Sequence, residues 1–134
     1  MARVLVDTSA VFALLDRSDL CHAAARDVLS NLRRQRVSPL LTNFVVAESH
    51  ALLLSRLGAE IARRWVLDNV WSIERVSDAD ESSARAIIRQ YTDKTFSYTD
   101  ATSFAVMERL GLKTAFAFDP HFSQYGFQVL GLGS

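Results

Sequence analysis

The sequence predicts an α/β domain built around a largely parallel sheet. Short apolar runs of strand length alternate with longer segments of helical period. Two of those runs end directly in an aspartate, Asp7 and Asp119. Breakers are scarce: there are two prolines and five glycines in 134 residues, so no linker divides the chain. A length of this order supports a core of its own, and the expectation is a single domain over residues 1–134.

The elements follow in order. Arg3 to Val6 is a strand ending at Asp7, and Thr8 to Leu15 is a short helix carrying Val11, Phe12, Leu14 and Leu15. Asp16 to Leu20 is polar and turn-like. A helix then runs from His22 to Arg36, with Ala23, Ala24, Val28, Leu29 and Leu32 toward the core. Pro39 to Thr42 is a short buried strand, and Asn43 can cap a helix over Phe44 to Arg56. Gly58 interrupts before a helix over Ala59 to Leu67. Val70 to Val76 alternates as a strand near an edge, because Ser72 and Glu74 share one side. Asp78 caps a helix over Ala79 to Tyr91, and Thr92 to Ser97 is a polar loop. Tyr98 to Leu110 is a helix closed by Gly111. Thr114 to Phe118 is a buried strand ending at Asp119 and Pro120, and Phe127 to Leu130 is a last strand.

Composition narrows the function classes. With 49% hydrophobic and 22% charged residues the chain falls outside the disordered class. The lone Cys21 excludes an internal disulfide and reads as a helix-entry or minor core residue. His22, His50 and His121 lack zinc-finger spacing. One cysteine suits a reduced, cytoplasmic setting. The first residues are too short for a signal-peptide core, and no stretch approaches a membrane span, so no membrane association is expected. The formal net charge of zero supplies no overall attraction to a polyanion. Arg33, Arg34 and Arg36 form one basic cluster, and Arg63 and Arg64 another. Either is a solvated helix face or a phosphate-contacting patch.

Four acids carry the chemistry. Asp7 either caps the helix that follows it or acts as a ligand. Glu48 interrupts the apolar run FVVAESHALLL, where a charge is costly unless it is exposed, paired or bound to a cation. Asp100 opens an apolar helix whose dipole favours its charge. Asp119 either begins a turn with Pro120 or joins the other acids. In a parallel sheet, strand ends and the starts of the following helices share one edge, so Asp7, Glu48 and Asp119 converge there. The helix of Asp100 leads into the strand at 114–118, and simple topology expects its start at the opposite edge. Clustered carboxylates repel each other without a counterion. A site of oxygen donors suits Mg²⁺ or Mn²⁺, ions that commonly serve phosphate chemistry. An aspartyl phosphotransferase with Asp7 as nucleophile would want a Gly-rich phosphate loop, and Thr8, Ser9 and Ala10 are not one.

The blocks VDTSAVFALLD, TNFVVAES, SYTDATSFAVMERLG and AFAFDPHF, in that order, resemble PIN-domain ribonucleases, and more narrowly the VapC-type toxins of bacterial toxin–antitoxin pairs. The resemblance covers essentially the whole chain. It implies a three-layer α/β/α sandwich with a mainly parallel sheet and a shared acidic site formed by Asp7, Glu48, Asp100 and Asp119. Asp7 and Asp100 would then be the direct metal ligands. Ser9 resembles the hydroxyl that orients the first acid or a water on the metal. The resemblance also places the start of the Asp100 helix beside the other acids. It implies cleavage of RNA by a metal-activated water, a cognate antitoxin and a homodimer. Two further readings remain at this point: an RNA-maturation nuclease without an antitoxin, and a non-catalytic RNA- or protein-binding module. Clustered negative charge argues against the latter as an RNA surface.

Overall fold

The computed structural model describes residues 2–131; Met1 and residues 132–134, the two ends of the expected domain, lie outside the described residues. The elements are β1 (Arg3–Val6), α1 (Thr8–Leu15), α2 (His22–Arg34), β2 (Ser38–Thr42), α3 (Asn43–Leu57), α4 (Ala59–Asp68), β3 (Ser72–Glu74), α5 (Asp78–Gln90), α6 (Tyr98–Leu110), β4 (Thr114–Ala117), α7 (His121–Tyr125) and β5 (Gln128–Gly131). The strands form one five-stranded sheet in the order β3-β2-β1-β4-β5, and every pairing is parallel.

The central strands are apolar on both faces because helices cover both. Val4, Val6 and Phe116 pack with Ala10, Val11, Leu32, Val45 and Leu53 on the side of α1 to α4. Leu5, Ala115 and Ala117 point the other way and pack with Ala84, Phe104, Met107 and Phe122 of α5 to α7. Period-two alternation along β1 and β4 therefore produces the three layers. Phe104 anchors the second layer, with its ring 4.5 Å from Tyr125, 4.9 Å from Phe122 and 5.0 Å from Phe96.

Several boundaries differ from expectation, each for a local reason. Thr42, not Asn43, caps α3: its hydroxyl accepts the Val45 N–H at 3.0 Å. Asn43 begins the helix, and its side-chain oxygen accepts the Val76 N–H at 2.8 Å. Ser77, not Asp78, caps α5 in a reciprocal box with Asp80. The strand expected over 70–76 shrinks to Ser72–Glu74, at the sheet edge. Its flanks are occupied by side chains, since Asn69 both accepts the Trp71 N–H and donates to the Trp71 carbonyl. The helix expected to reach Arg36 stops at Arg34, and Arg36 turns into the left-handed region at φ 57°. The short helix α7 was not expected.

The edge assigned to Asp100 by simple topology is also corrected. A helix returning to the amino end of β4 begins one helix length away, and thirteen residues span about 20 Å. That length carries the start of α6 to the carboxyl edge, where β1 and β4 end.

Candidate active site

Asp7 follows β1 at the carboxyl edge of the sheet, with its N–H held by the Phe116 carbonyl of β4 at 2.9 Å. It is the N-cap of α1, and it is buried at 2% exposure. Its Oδ2 accepts from the Ser9 N–H at 3.1 Å and the Ser9 hydroxyl at 2.6 Å. The same hydroxyl accepts the Phe118 N–H at 2.9 Å, so Ser9 ties the ends of β1 and β4 together. The capping and site positions of Asp7 thus coincide.

Asp100 occupies the third position of α6, where Ser97 and Asp100 form a capping box. Its Oδ2 accepts the Ser97 N–H at 3.0 Å, and the Nδ1–H of His121 donates to the same oxygen at 2.7 Å. Asp119 follows β4 and opens the turn into α7, accepting the His121 N–H at 3.0 Å. One donor atom from each of Asp100, Asp119 and His121 lies within 4.8 Å of the others.

Electrostatics couple Asp7 to this group. Burial pushes the Asp7 carboxyl well above its usual range, and the charge of Asp119 and a hydrogen bond between the two carboxyl groups push it further. Ser9 pulls it down, and Asp100 adds a smaller upward push. Asp100 is also raised, chiefly by burial and then by Asp119, against the stabilising Ser97 N–H and His121. The fold therefore brings Asp7, Asp100 and Asp119 together. Glu48 lies outside this close group, exposed on α3. Its neighbour Ser49 is buried and donates to the hydroxyl of Thr8, the residue after Asp7, at 3.4 Å.

The donor set fits a hard divalent cation. Two nearly buried carboxylates resist ionising because of burial and mutual repulsion, and a dication relieves both. Asp7 and Asp100 each have Oδ2 held by two protein donors, which fixes both side chains. His121 is the site residue that the sequence reading missed. Its signal was a histidine two places after an aspartate that ends a strand.

Comparison with known proteins identifies the family of the chain. The model of the PIN domain family matches residues 4–128. The chain is 33% identical over 127 residues to the 23S rRNA-specific endonuclease VapC20 of Mycobacterium tuberculosis, covering 92% of this chain and 95% of that protein. It is 30% identical over 125 residues to ribonuclease VapC26 of the same organism, covering 90% of each. The crystal structure of M. tuberculosis VapC20, described as a Sarcin-Ricin loop cleaving toxin, superimposes with a TM-score of 0.81 at 32% identity, over 92% of this chain and 95% of that one. FitAcB from Neisseria gonorrhoeae shares the fold, with a TM-score of 0.68 at 17% identity over 95% of this chain and 96% of that one.

Proposed function

This chain belongs to the PIN-domain family, and from that premise we propose that it is a metal-dependent endoribonuclease, the toxin of a toxin–antitoxin pair. The observation that carries the reading is the meeting of Asp7, Asp100 and Asp119 at the carboxyl edge of the sheet, with two of them buried. Residues 1–134 act as one domain.

Asp7 and Asp100 would hold Mg²⁺ or Mn²⁺ with Asp119 beside them, and Glu48, exposed on α3 outside that close group, is the fourth acid of the proposal. An ion held there would supply Lewis acidity, for activating water and for stabilising charge on the phosphoryl oxygens. Ser9 keeps Asp7 in one rotamer and couples it to the end of β4. Ser97 and His121 do the same for Asp100. Rigid placement of this kind is what lets a cation and a phosphodiester meet in reacting geometry.

The partners are RNA, a cognate antitoxin and a second copy of the chain. The VapC relatives, both ribonucleases by name, support the first, and the toxin described for the VapC20 structure supports the second. A groove of about 990 Å³ between the end of α1, α2 and α4 also supports a protein partner. Trp65, Trp71 and Ile61 supply its apolar surface, and its charged rim is mixed, with Arg17, Arg26 and Arg64 beside Asp16 and Asp68. Among the described residues no helix is long and apolar enough to cross a membrane; the reading places the protein in the cytoplasm.

The test uses purified protein and total RNA with Mg²⁺ or Mn²⁺. Discrete cleavage that stops in excess chelator is expected. Full cleavage after complete metal removal overturns the metal mechanism. Expression alone should arrest growth, and co-expression of the neighbouring antitoxin should restore it. Harmless expression of active enzyme in its own host would favour an RNA-maturation role instead.

A further inference from the structure

Beside the acids lies a recess of about 290 Å³ that shares Ser9 and Asp119 with them. The walls come from α1, the turn into α2, α3 and the end of β4. We propose that this recess seats one unpaired nucleotide flanking the scissile phosphate, with Arg56 on its phosphate; the proposal rests on the ribonuclease reading above.

Three observations lead there. The first is chemistry. Phe12 and Phe118, both partly exposed, line the recess with Leu52. Aromatic and aliphatic walls suit the face of a nucleobase. The second is charge. Arg56 is exposed at the rim, and among the described residues it has no carboxylate or hydrogen-bond partner. A free guanidinium next to an acidic centre offsets the repulsion that a phosphodiester meets there. The third is placement. Glu48, Leu52 and Arg56 follow at intervals of four on α3, so they form one stripe along that helix. The stripe leads from a candidate acid, past the recess wall, to the free cation.

The walls bear on the form of RNA. A base can lie against Phe12 and Phe118 only when its own face is free of neighbouring bases. A duplex keeps its bases stacked, so the flanking nucleotide has to come from a loop, bulge or single strand. Asp19 also lines the recess, with Oδ1 accepting the Cys21 N–H at 2.8 Å. Its carboxylate can only accept, which favours a base edge carrying an amino group.

The experiment compares a hairpin RNA with an unpaired loop and a fully paired duplex containing the same sequence, with wild type, Leu52→Trp and Arg56→Ala, in Mn²⁺. Wild type is expected to cut in the loop and to spare the duplex. Leu52→Trp fills the recess and should raise KM for the hairpin at least tenfold or move the cut, while Mn²⁺ affinity is retained. Arg56→Ala should weaken hairpin binding, measured by anisotropy in chelator, and lower its salt slope by about one ion. Arg56 is exposed, so this variant keeps the test valid if Leu52→Trp misfolds. Equal cleavage of hairpin and duplex overturns the subsite. So do unchanged KM, cut position and salt slope in folded variants that still cleave. Failure of the wild type to cut any RNA overturns the nuclease reading and the subsite with it.

Discussion

His121 fastens two acids at once: its ring Nδ1–H reaches Asp100 Oδ2 at 2.7 Å, and its main-chain N–H reaches Asp119 Oδ1 at 3.0 Å. Its ring is braced edge-on by Phe96 at 5.8 Å. Removing a hydrogen-bond partner of a ligating carboxylate typically costs about 10–100-fold in metal affinity. His121→Ala should therefore weaken Mn²⁺ binding by about that factor in titration calorimetry. His121→Asn, whose side chain can still donate, should recover part of it. Unchanged affinity in His121→Ala would mean that Asp100 needs no such support.

Asp7 makes metal-free stability depend on pH. Its folded-state pKa lies well above the usual 3.8, so the folded chain holds this proton more tightly than the unfolded chain. Its contribution is most favourable below the unfolded pKa. It declines as pH rises through the folded pKa and stays least favourable above it. Asp7→Asn should flatten this dependence. In chelator at neutral pH its melting temperature should equal or exceed that of wild type, while RNA cleavage falls by orders of magnitude. The measurement is melting temperature against pH alongside cleavage rate. Near-normal cleavage would remove Asp7 from the metal site.

Ser9 has a different signature. Ser9→Ala removes the hydroxyl from Asp7 and leaves the Phe118 N–H without its partner. An amide stranded in this way costs about 1–3 kcal/mol. A lower urea midpoint is expected together with reduced cleavage, and Ser9→Thr should restore much of both. Loss of cleavage with wild-type stability would show that Ser9 acts on the reaction without bracing the strand ends.

A second buried acid, Asp80, is tied into the fold by an arginine. Asp80 is 3% exposed, and the Arg109 guanidinium holds it at 2.9 and 3.0 Å, with Glu74 on a further nitrogen at 3.1 Å. The Arg109 bond is the main reason that the Asp80 carboxyl lies below its usual range. Its stabilising contribution is therefore present above the unfolded pKa and lost as pH falls through the folded one. Arg109→Ala strands the buried charge. It should cost about 3 kcal/mol, the low end for breaking a buried pair, because the arginine itself is partly exposed. Denaturant unfolding reads this directly. RNA cleavage by the folded fraction should persist, in contrast to Asp7→Asn.

The parts of the fold legible in the sequence were those that burial dictates. β1 and β4 are covered on both faces, so they read as apolar runs, and the aspartates after them mark the carboxyl edge. Gly111 at φ 70° closes α6 as its position implied. Features set by tertiary contact were not legible. Val70 to Val76 has strand periodicity, yet Asn69 and Asn43 claim its backbone groups. The helix α7 has five residues, too few to display a helical period. Asp100 needed the length of its helix to be counted before its edge could be assigned. His121 meets Asp100 across 21 residues of chain, a contact that spacing cannot announce. The placement of Asp100 beside Asp119 matches what the family resemblance implied, where local topology had pointed the other way.

The side chains that shorten β3 also govern how the molecule behaves in a crowded solution. An exposed sheet edge is a template on which another chain can add. Here that edge is three residues long, and Asn69 and Asn43 stop it at either end like the selvedge of a cloth. Val70, at 91% exposure, and Ile73, at 48%, would otherwise belong to one long adhesive border. With both asparagines replaced by leucine, the backbone groups of Trp71 and Val76 lose these partners, and light scattering should report more self-association than in the wild type.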